Sequence, residues 1–430
     1  MKPLLVPITI VFTSFFYFPF FFTFLPTVNT KMMLAAAGLI LLLMRMGMKG
    51  QRLVNKDFFL LSLGALGVSF ASLLAMTLNG TSDGAYLGYL VTMWVWVGAA
   101  YFVVNFMKAV HGYVNVELIC FYMITVGVLQ CLLAATMDMY APLKNFVDSF
   151  LAGEGFMGKF EGRLYGIGCA LDVAGGRFAV LLIMISFLLP RMFRKENYKI
   201  YLVLLSLAFC VLAVIGNMIG RTATVGMVLG LVYLSYVVFF SRHVIPDERR
   251  KYLVRWFPVC LVAVAAVMTV LYHTNDWWNN YLRFGFEGFF SLVEKGRWEV
   301  QSNSMLVEGM VFPDNLRTWI IGDGYMGSMA ADPYYMGNLW YGFYMGTDAG
   351  YSRFLFYFGL VGLSVFIGFM AKVCQVCMKH TRQYKSMFLF MLMLNLIIWC
   401  KVSTDIFLAF APFLCLDDVE TGAEEIKLPA

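Results

Sequence analysis

The chain has 430 residues, of which 61% are hydrophobic, 17% aromatic and only 13% charged, with a mean hydropathy of +0.75. A typical soluble domain carries about 25% charged residues, so there is too little polar surface here to cover a water-soluble globule. A soluble enzyme, a disordered chain and a disulfide-framed secreted module are excluded, and the formal charge of +6 becomes informative only once its residues are placed.

A helix needs about 20 apolar residues to cross the hydrocarbon layer. In chain order, spans are predicted over residues 4–25, 32–47, 57–78, 85–107, 115–136, 170–190, 199–219, 222–240, 253–272, 350–371, 386–401 and 404–417. The last two are short and could be one broken element. The fold class is therefore an all-α membrane protein of about 12 transmembrane helices. The Phe-rich start after Met1-Lys2 has no small-residue cleavage site, and Pro19 and Pro26 stand where one would be sought. A retained first helix is expected rather than a signal peptide. Residues 1–272 then hold nine helices with an outer loop at 137–169, residues 273–349 form a large outer loop, residues 350–417 hold three more helices, and 418–430 form an acidic tail.

Lysine and arginine orient this layout. They gather in alternate connections: Arg45, Lys49, Arg52 and Lys56; Lys108; Arg191, Arg194, Lys195 and Lys199; Arg242, Arg249, Arg250, Lys251 and Arg255; Lys372, Lys379, Arg382 and Lys385. With Lys2 and Lys427 added, both termini are expected to be cytoplasmic. The large loop then faces the other side. It is rich in glycine, aromatic and acidic residues, which argues for short helices and turns lying against the bilayer rather than a separate domain.

Several chemistries find no support. Cys120, Cys131, Cys210, Cys260, Cys400 and Cys415 lie in apolar runs and read as small packing residues. Cys374 and Cys377 form a lone CxxC with His380 as the only nearby imidazole, which is short of the four ligands that zinc takes. No HExxH, no Walker-type glycine loop and no paired-carboxylate metal motif stands in the outer loops. No cofactor, no metal and no nucleic acid are expected. Trp277, Trp278, Trp298, Trp319 and Trp340 could stack on sugars or serve as interfacial anchors, the latter being the ordinary role beside a membrane.

Charge at the ends of spans is more informative. A charge within a span costs about 2.5–3.5 kcal/mol on insertion scales and marks a functional candidate. Arg177, Arg221, Arg353 and Lys401 all fall at the outer ends of predicted spans. A guanidinium matches phosphate in bidentate geometry, so a set of them at headgroup level suits the diphosphate of a lipid-linked sugar. The bland alternative is snorkelling to lipid headgroups or pairing with carboxylates. Asp348, Asp172 and Asp405 are acid candidates whose ordinary reading is a helix cap or a first-turn acid.

Four segments in order resemble the O-antigen polymerase and ligase superfamily of bacterial inner-membrane glycosyltransferases. Arg163-Leu164-Tyr165-Gly166, followed by Asp172 and Gly175-Gly176, is similar to the family's Arg-x-x-Gly segment before a span. Gly220-Arg221-Thr222-Ala223 is similar to its Ser-Arg-Thr at an outer helix end. Gly296-Arg297-Trp298, with Ile321-Gly322-Asp323-Gly324-Tyr325 downstream, resembles its large-loop arginine and Gly-x-Gly turn. Asp348-Ala349-Gly350-Tyr351, with Phe358-Gly359-Leu360-Val361-Gly362, looks like the motif that closes the large loop. Ligases begin that motif with His-Asn where Asp348 stands here, which favours a polymerase.

The resemblance covers about residues 160–365. It implies a GT-C-like, metal-independent glycosyl transfer on the periplasmic face of the bacterial inner membrane, from a glycan on a polyprenyl diphosphate to the next lipid-linked unit. It also implies a flippase and a chain-length regulator as possible partners. In this reading Arg177, Arg221 or Arg297 stabilises the leaving diphosphate, Asp348 accepts the acceptor's proton, and Arg163 and Arg353 orient these groups or bind the second diphosphate. A ligase acting on a lipid or protein acceptor and a lipid-linked-oligosaccharide flippase are the alternatives.

Overall fold

The computed structural model describes residues 3–49, 56–152, 163–240, 245–297, 299–300, 311–327 and 343–416. Expectations placed on Lys2, Arg52, Arg242, Trp298, Trp340, Lys427 and the tail 418–430 lie outside the described residues.

Helix α1 (Val6–Tyr17) leads into a hairpin of β1 (Phe21–Phe22) and β2 (Leu25–Asn29), and α2 (Thr30–Lys49) follows. The stretch 4–25 is thus helical over only its first half. Pro19 disfavours the helical conformation at Phe18 and has no N–H to offer a continuing helix, and Pro26 falls inside β2. The chain continues through α3 (Lys56–Asn79), α4 (Tyr89–His111), α5 (Val116–Met139), α6 (Ala141–Phe150), α7 (Leu171–Met192), α8 (Tyr198–Ile219), α9 (Ala223–Phe239) and α10 (Asp247–Thr274). Among the described residues of the predicted large loop are three short α-helices, α11 (Asp276–Gly285), α12 (Glu287–Lys295) and α13 (Leu316–Ile321). The chain then forms α14 (Gly350–His380), α15 (Lys385–Ile398) and α16 (Phe407–Leu414). Seven of these helices, namely α3, α4, α5, α7, α8, α10 and α14, are long and apolar enough to cross a membrane, so the protein is membrane-embedded and helical.

The fold has two compact units. The first takes residues 1–12, 30–116 and 301–430; the second takes 13–29 and 117–300. Small residues bring helices together in both, the usual device where lipid gives no hydrophobic drive for association. In the first unit α2 meets α4 where a Cβ on Gly38 would stand 1.9 Å from the Gly98 carbonyl oxygen. In the second, α9 lies on α7 with Gly226 against the Ala179 backbone and Gly230 against Ser186. Helix α7 is the core of that unit and is buried along most of its length. The hairpin packs beside α6, where Phe20, Val147 and Leu151 form a buried cluster with Met137.

The first unit contains a broken helix. Gly359 of α14 has φ +63° and ψ −167°, outside the helical region. The carbonyls of Phe356 and Tyr357 would otherwise bond four residues onward. Instead they accept from Asp323 N at 2.5 Å and Gly324 N at 3.1 Å. Gly322 (φ +76°) and Gly324 (φ +77°) give that segment its left-handed turns. A Cβ on Gly359 would stand 2.3 Å from the carbonyl carbon of Ile320, so α13 is seated in the break.

Gly359→Ala should therefore lower stability by about 2 kcal/mol or more, through left-handed strain and overpacking. Gly368→Ala on the same helix has nothing within 4 Å of the new Cβ and should be neutral or stabilising by about 0.5–1 kcal/mol. Thermal unfolding of both variants in detergent checks the pair.

Candidate functional site

The second unit carries a pair of arginines and the first a single held arginine. In the second unit the cluster grows from the α8–α9 turn. A Cβ on Gly220 would lie 2.4 Å from the Leu171 carbonyl oxygen, and one on Gly175 would lie 2.7 Å from the Gly220 carbonyl oxygen, so only glycine allows this approach. Thr222 Oγ1 donates to Asp172 Oδ1 at 2.6 Å, which ties the turn to the start of α7. With its neighbours so fixed, Arg221 reaches over Phe284 of α11, 4.7 Å from the ring centroid.

Arg163 reaches the same ring at 5.0 Å. Its segment is anchored residue by residue. Leu164 N donates to Met218 O at 3.3 Å, Tyr165 Oη donates to Asp148 at 2.8 Å, and Gly166 N donates to Cys169 O at 2.8 Å. Gln130 braces it further, accepting from Ile167 N at 3.1 Å and donating to Ile167 O at 2.9 Å. Tyr165 is held above the ordinary phenol range by burial and by its bond to Asp148.

Glu287, at the start of α12, forms an ion pair with Arg221. Burial pulls Arg221 below the ordinary guanidinium range, Glu287 pulls it back, and the like charge of Arg163 pulls it down again. The arrangement is two arginines over one aromatic ring, with Glu287 paired to Arg221 and Asp172 also acting on Arg221 through its charge. It suits a phosphoryl or carboxylate ligand.

Arg177 stands elsewhere in this unit. It is two residues beyond Gly175, about 200° around a helix. It lies over Phe18 at 5.6 Å, and its carbonyl accepts from Tyr17 Oη at 3.1 Å. Arg297 is 74% exposed and pairs with Glu299 at 3.3 Å. Lys295 also bonds Glu299, at 3.0 Å, and these partners hold that carboxyl below its usual range, Lys295 foremost. Trp277 Nε1 donates to Asp138 Oδ2 at 2.8 Å, an internal use of that ring edge.

In the first unit the site is built on Arg353. Its Nη1 donates to Ser403 Oγ at 2.7 Å, its Nη2 donates to Met326 O at 2.9 Å, and Phe343 lies 3.8 Å from the guanidinium carbon. Its Nε is buried and has no hydrogen-bond partner among the described residues. Asp348 is exposed and acts on Arg353 through its charge. It does not cap α14: the N-cap is Ala349, whose N–H donates to Thr347 Oγ1 at 3.3 Å. Gly350 is needed for contact, since a Cβ there would meet Val402 O at 2.5 Å. Tyr351 donates from N to Trp399 O and from Oη to Leu396 O, both at 2.9 Å. Asp405 stands one residue before Ile406, the N-cap of α16; it accepts from Phe407 N at 2.9 Å and from Tyr89 Oη at 3.3 Å. Lys401 lies in the turn after α15.

Three residues beyond those singled out in the sequence matter here. Phe284 and Glu287 complete the second-unit cluster. Asp83 organises the first: its Oδ2 accepts from Met326 N at 2.7 Å and Gly327 N at 2.9 Å, and its Oδ1 accepts from Ala85 N at 3.1 Å. Its carbonyl accepts from Tyr357 Oη at 2.8 Å, so Ser72 Oγ is the donor in the 2.7 Å bond to that same hydroxyl. Asp83 thereby fixes the carbonyl to which Arg353 donates. The sequence signal was an aspartate before glycine between two spans. Among the described residues no group of three or more His, Cys, Asp or Glu side chains could hold a metal ion, and Cys374 and Cys377 are buried free thiols.

A double-mutant cycle of Asp172→Asn and Thr222→Val should give a coupling of about 1–2 kcal/mol in unfolding free energy, as expected for a hydrogen bond to a charged acceptor. Coupling near zero would show that this bond does not set the turn. No protein-family model matches the chain, and no curated protein or solved structure does either.

Proposed function

We propose that the protein is a membrane glycosyltransferase that polymerises polyprenyl-diphosphate-linked oligosaccharide units into a surface polysaccharide. The observation that carries this reading is the pair Arg163 and Arg221 over Phe284, two cations from segments far apart in sequence placed on one ring. Separately, the first unit carries an acid and an arginine, Asp348 and Arg353, at the start of α14. In the proposed setting the chain has twelve spans, both termini are cytoplasmic, and the site opens to the periplasmic side of a bacterial inner membrane, as the lysine and arginine distribution suggests.

The reaction joins the acceptor hydroxyl oxygen to the anomeric carbon of the donor sugar and breaks that carbon's bond to the diphosphate oxygen. The electron pair leaves with the polyprenyl diphosphate, whose growing charge is met by guanidinium groups already in place. Arg163 and Arg221 are the pair positioned for that task. Asp348 takes the proton from the acceptor hydroxyl. Arg353 is held by Ser403, Met326 and Phe343. Arg177 and Arg297 stand apart from this pair, so the reading weights them less.

Purified protein mixed with lipid-linked repeat units should yield a ladder of longer lipid-linked chains on a gel. Transfer to a different acceptor would identify a ligase, and movement without new bonds would identify a flippase. Asp348→Asn should cut chain growth by about 10²-fold or more, as for loss of a general base. Arg221→Ala should do the same, by removing charge stabilisation. Ladders of unchanged rate and length in both variants would refute the assignment.

A further inference from the structure

In the second unit an apolar cavity of about 490 Å³ lies among α8, α9, α10, α11 and α12. That volume is in the range of small-molecule sites. Ala213 and Val214 of α8, Met227 of α9, Ala265 of α10, and Phe286 and Phe290 beside and on α12 are among its walls. Helix α10 is exposed along most of its length, so this wall faces the hydrocarbon.

The cavity and the arginine pair share their structural supports. Gly285 sits on the end of α8, where a Cβ would stand 3.2 Å from the Asn217 carbonyl carbon and 3.3 Å from Met218 N. The cavity wall at Ala213 and Val214 is one turn before that contact, and Arg221 begins the next turn after it. From Val214 to Ile219 the helix rises roughly 7.5 Å. The α11–α12 corner is shared as well. Phe284 carries the two guanidinium groups, Phe286 lines the cavity, and Glu287 pairs with Arg221. An apolar cavity thus lies about two helical turns along the chain from the arginine pair, and the residue that pairs with Arg221 is the immediate neighbour of a cavity wall.

We infer that these two features form one binding site for a phosphorylated lipid, with the chain in the cavity and the phosphoryl group taking the place of Glu287 on Arg221. The exchange is favourable because Arg221 passes from one anion to another and is never left as an uncompensated charge. The released carboxylate is 31% exposed and gains water. Because Phe286 and Phe290 flank Glu287, its release also shifts the cavity wall, so head and chain bind as a unit. The inference rests on the proposed function and names the place where its lipid donor would be held.

The test uses full-length protein in detergent with three probes: a C55 polyprenyl diphosphate, phosphatidylglycerol and inorganic pyrophosphate, with affinities read by native mass spectrometry. The polyprenyl diphosphate should bind at least about tenfold more tightly than pyrophosphate, because the chain adds buried apolar area. Glu287→Gln should tighten the polyprenyl diphosphate by about fivefold, the scale of a partly exposed ion pair. Ala265→Trp fills the cavity from its exposed wall and should remove the chain's advantage while leaving pyrophosphate binding unchanged; Ala213→Phe serves the same purpose from α8.

Weaker or equal binding by Glu287→Gln would overturn the exchange. Full retention of the chain's advantage in both filled variants would overturn the cavity assignment. Phosphatidylglycerol binding as tightly as the polyprenyl diphosphate, with the same response to the variants, would support the lipid site while removing its support for the polymerase. Chain growth that persists in a protein whose filled cavity no longer binds the probe would leave the enzyme reading standing and sink this site.

Discussion

The position of Arg353 depends on a break in a helix. A helix that crosses hydrocarbon must satisfy its backbone groups within the protein, because no water is there to do it. When Gly359 leaves the helical region, the carbonyls of Phe356 and Tyr357 lose their partners in α14, and Asp323 N and Gly324 N replace them. The replacement segment must then be held. Asn79 Nδ2 donates to Gly322 O at 2.9 Å, Thr81 Oγ1 donates to Gly324 O at 3.0 Å, and Asp83 takes the N–H groups of Met326 and Gly327. Met326 O, so placed, is the acceptor for Arg353. The chain of dependence runs from one glycine with positive φ, through a docked loop, to one guanidinium.

The second unit reaches a comparable result by close packing. Gly175 and Gly220 let α7 and the α8–α9 turn approach until Thr222 bonds Asp172, and Arg221, next to Thr222, lies over Phe284. Glycine here permits backbone contact, and the contact aims a long, flexible side chain that would otherwise lose its rotamer entropy against the ligand. Pre-orientation of this kind serves transition-state stabilisation, since the charge needs no reorganisation when the leaving group forms.

How much of this could be read from the residues depends on the range of the interaction. Local signals carried well. Hydropathy marked α3, α4, α5, α7, α8, α10 and α14. Gly220-Arg221-Thr222 and Gly322-Asp323-Gly324 stood out as turns with a charge, and both are junctions in the fold. The first segment was misread as one long helix because mean hydropathy does not register what Pro19 and Pro26 do to hydrogen bonding. Asp348-Ala349-Gly350-Tyr351 and Phe358-Gly359 were legible as separate motifs, but nothing local reveals that the second receives the Gly322–Gly324 turn. Glu287 and Phe284 carried no signal, because what makes them matter is a partner more than sixty residues away. The arginines of the sequence also looked like one set. The fold divides them among a pair on Phe284, Arg177 on Phe18, Arg297 on the surface and Arg353 in the other unit.

That division separates two ways of keeping a cation in an apolar protein. Arg353 is held by a hydroxyl, a carbonyl and a ring face, all of which stabilise positive charge without cancelling it. Arg221 has a carboxylate partner, and its net charge is largely neutralised. Breaking a buried pair by removing one partner is strongly unfavourable, about 3–5 kcal/mol, because a bare charge is left behind. An anion that arrives as the carboxylate departs avoids that cost. It meets a site whose geometry is already set and whose empty state is electrically quiet. Arg353 is instead bonded to neutral groups, and the carboxylates of Asp348 and Asp83 act on it through their charge. A cation held by neutral groups suits a residue that orients its surroundings, whereas one held by an exchangeable carboxylate suits a residue that must take hold of an anionic ligand and release it.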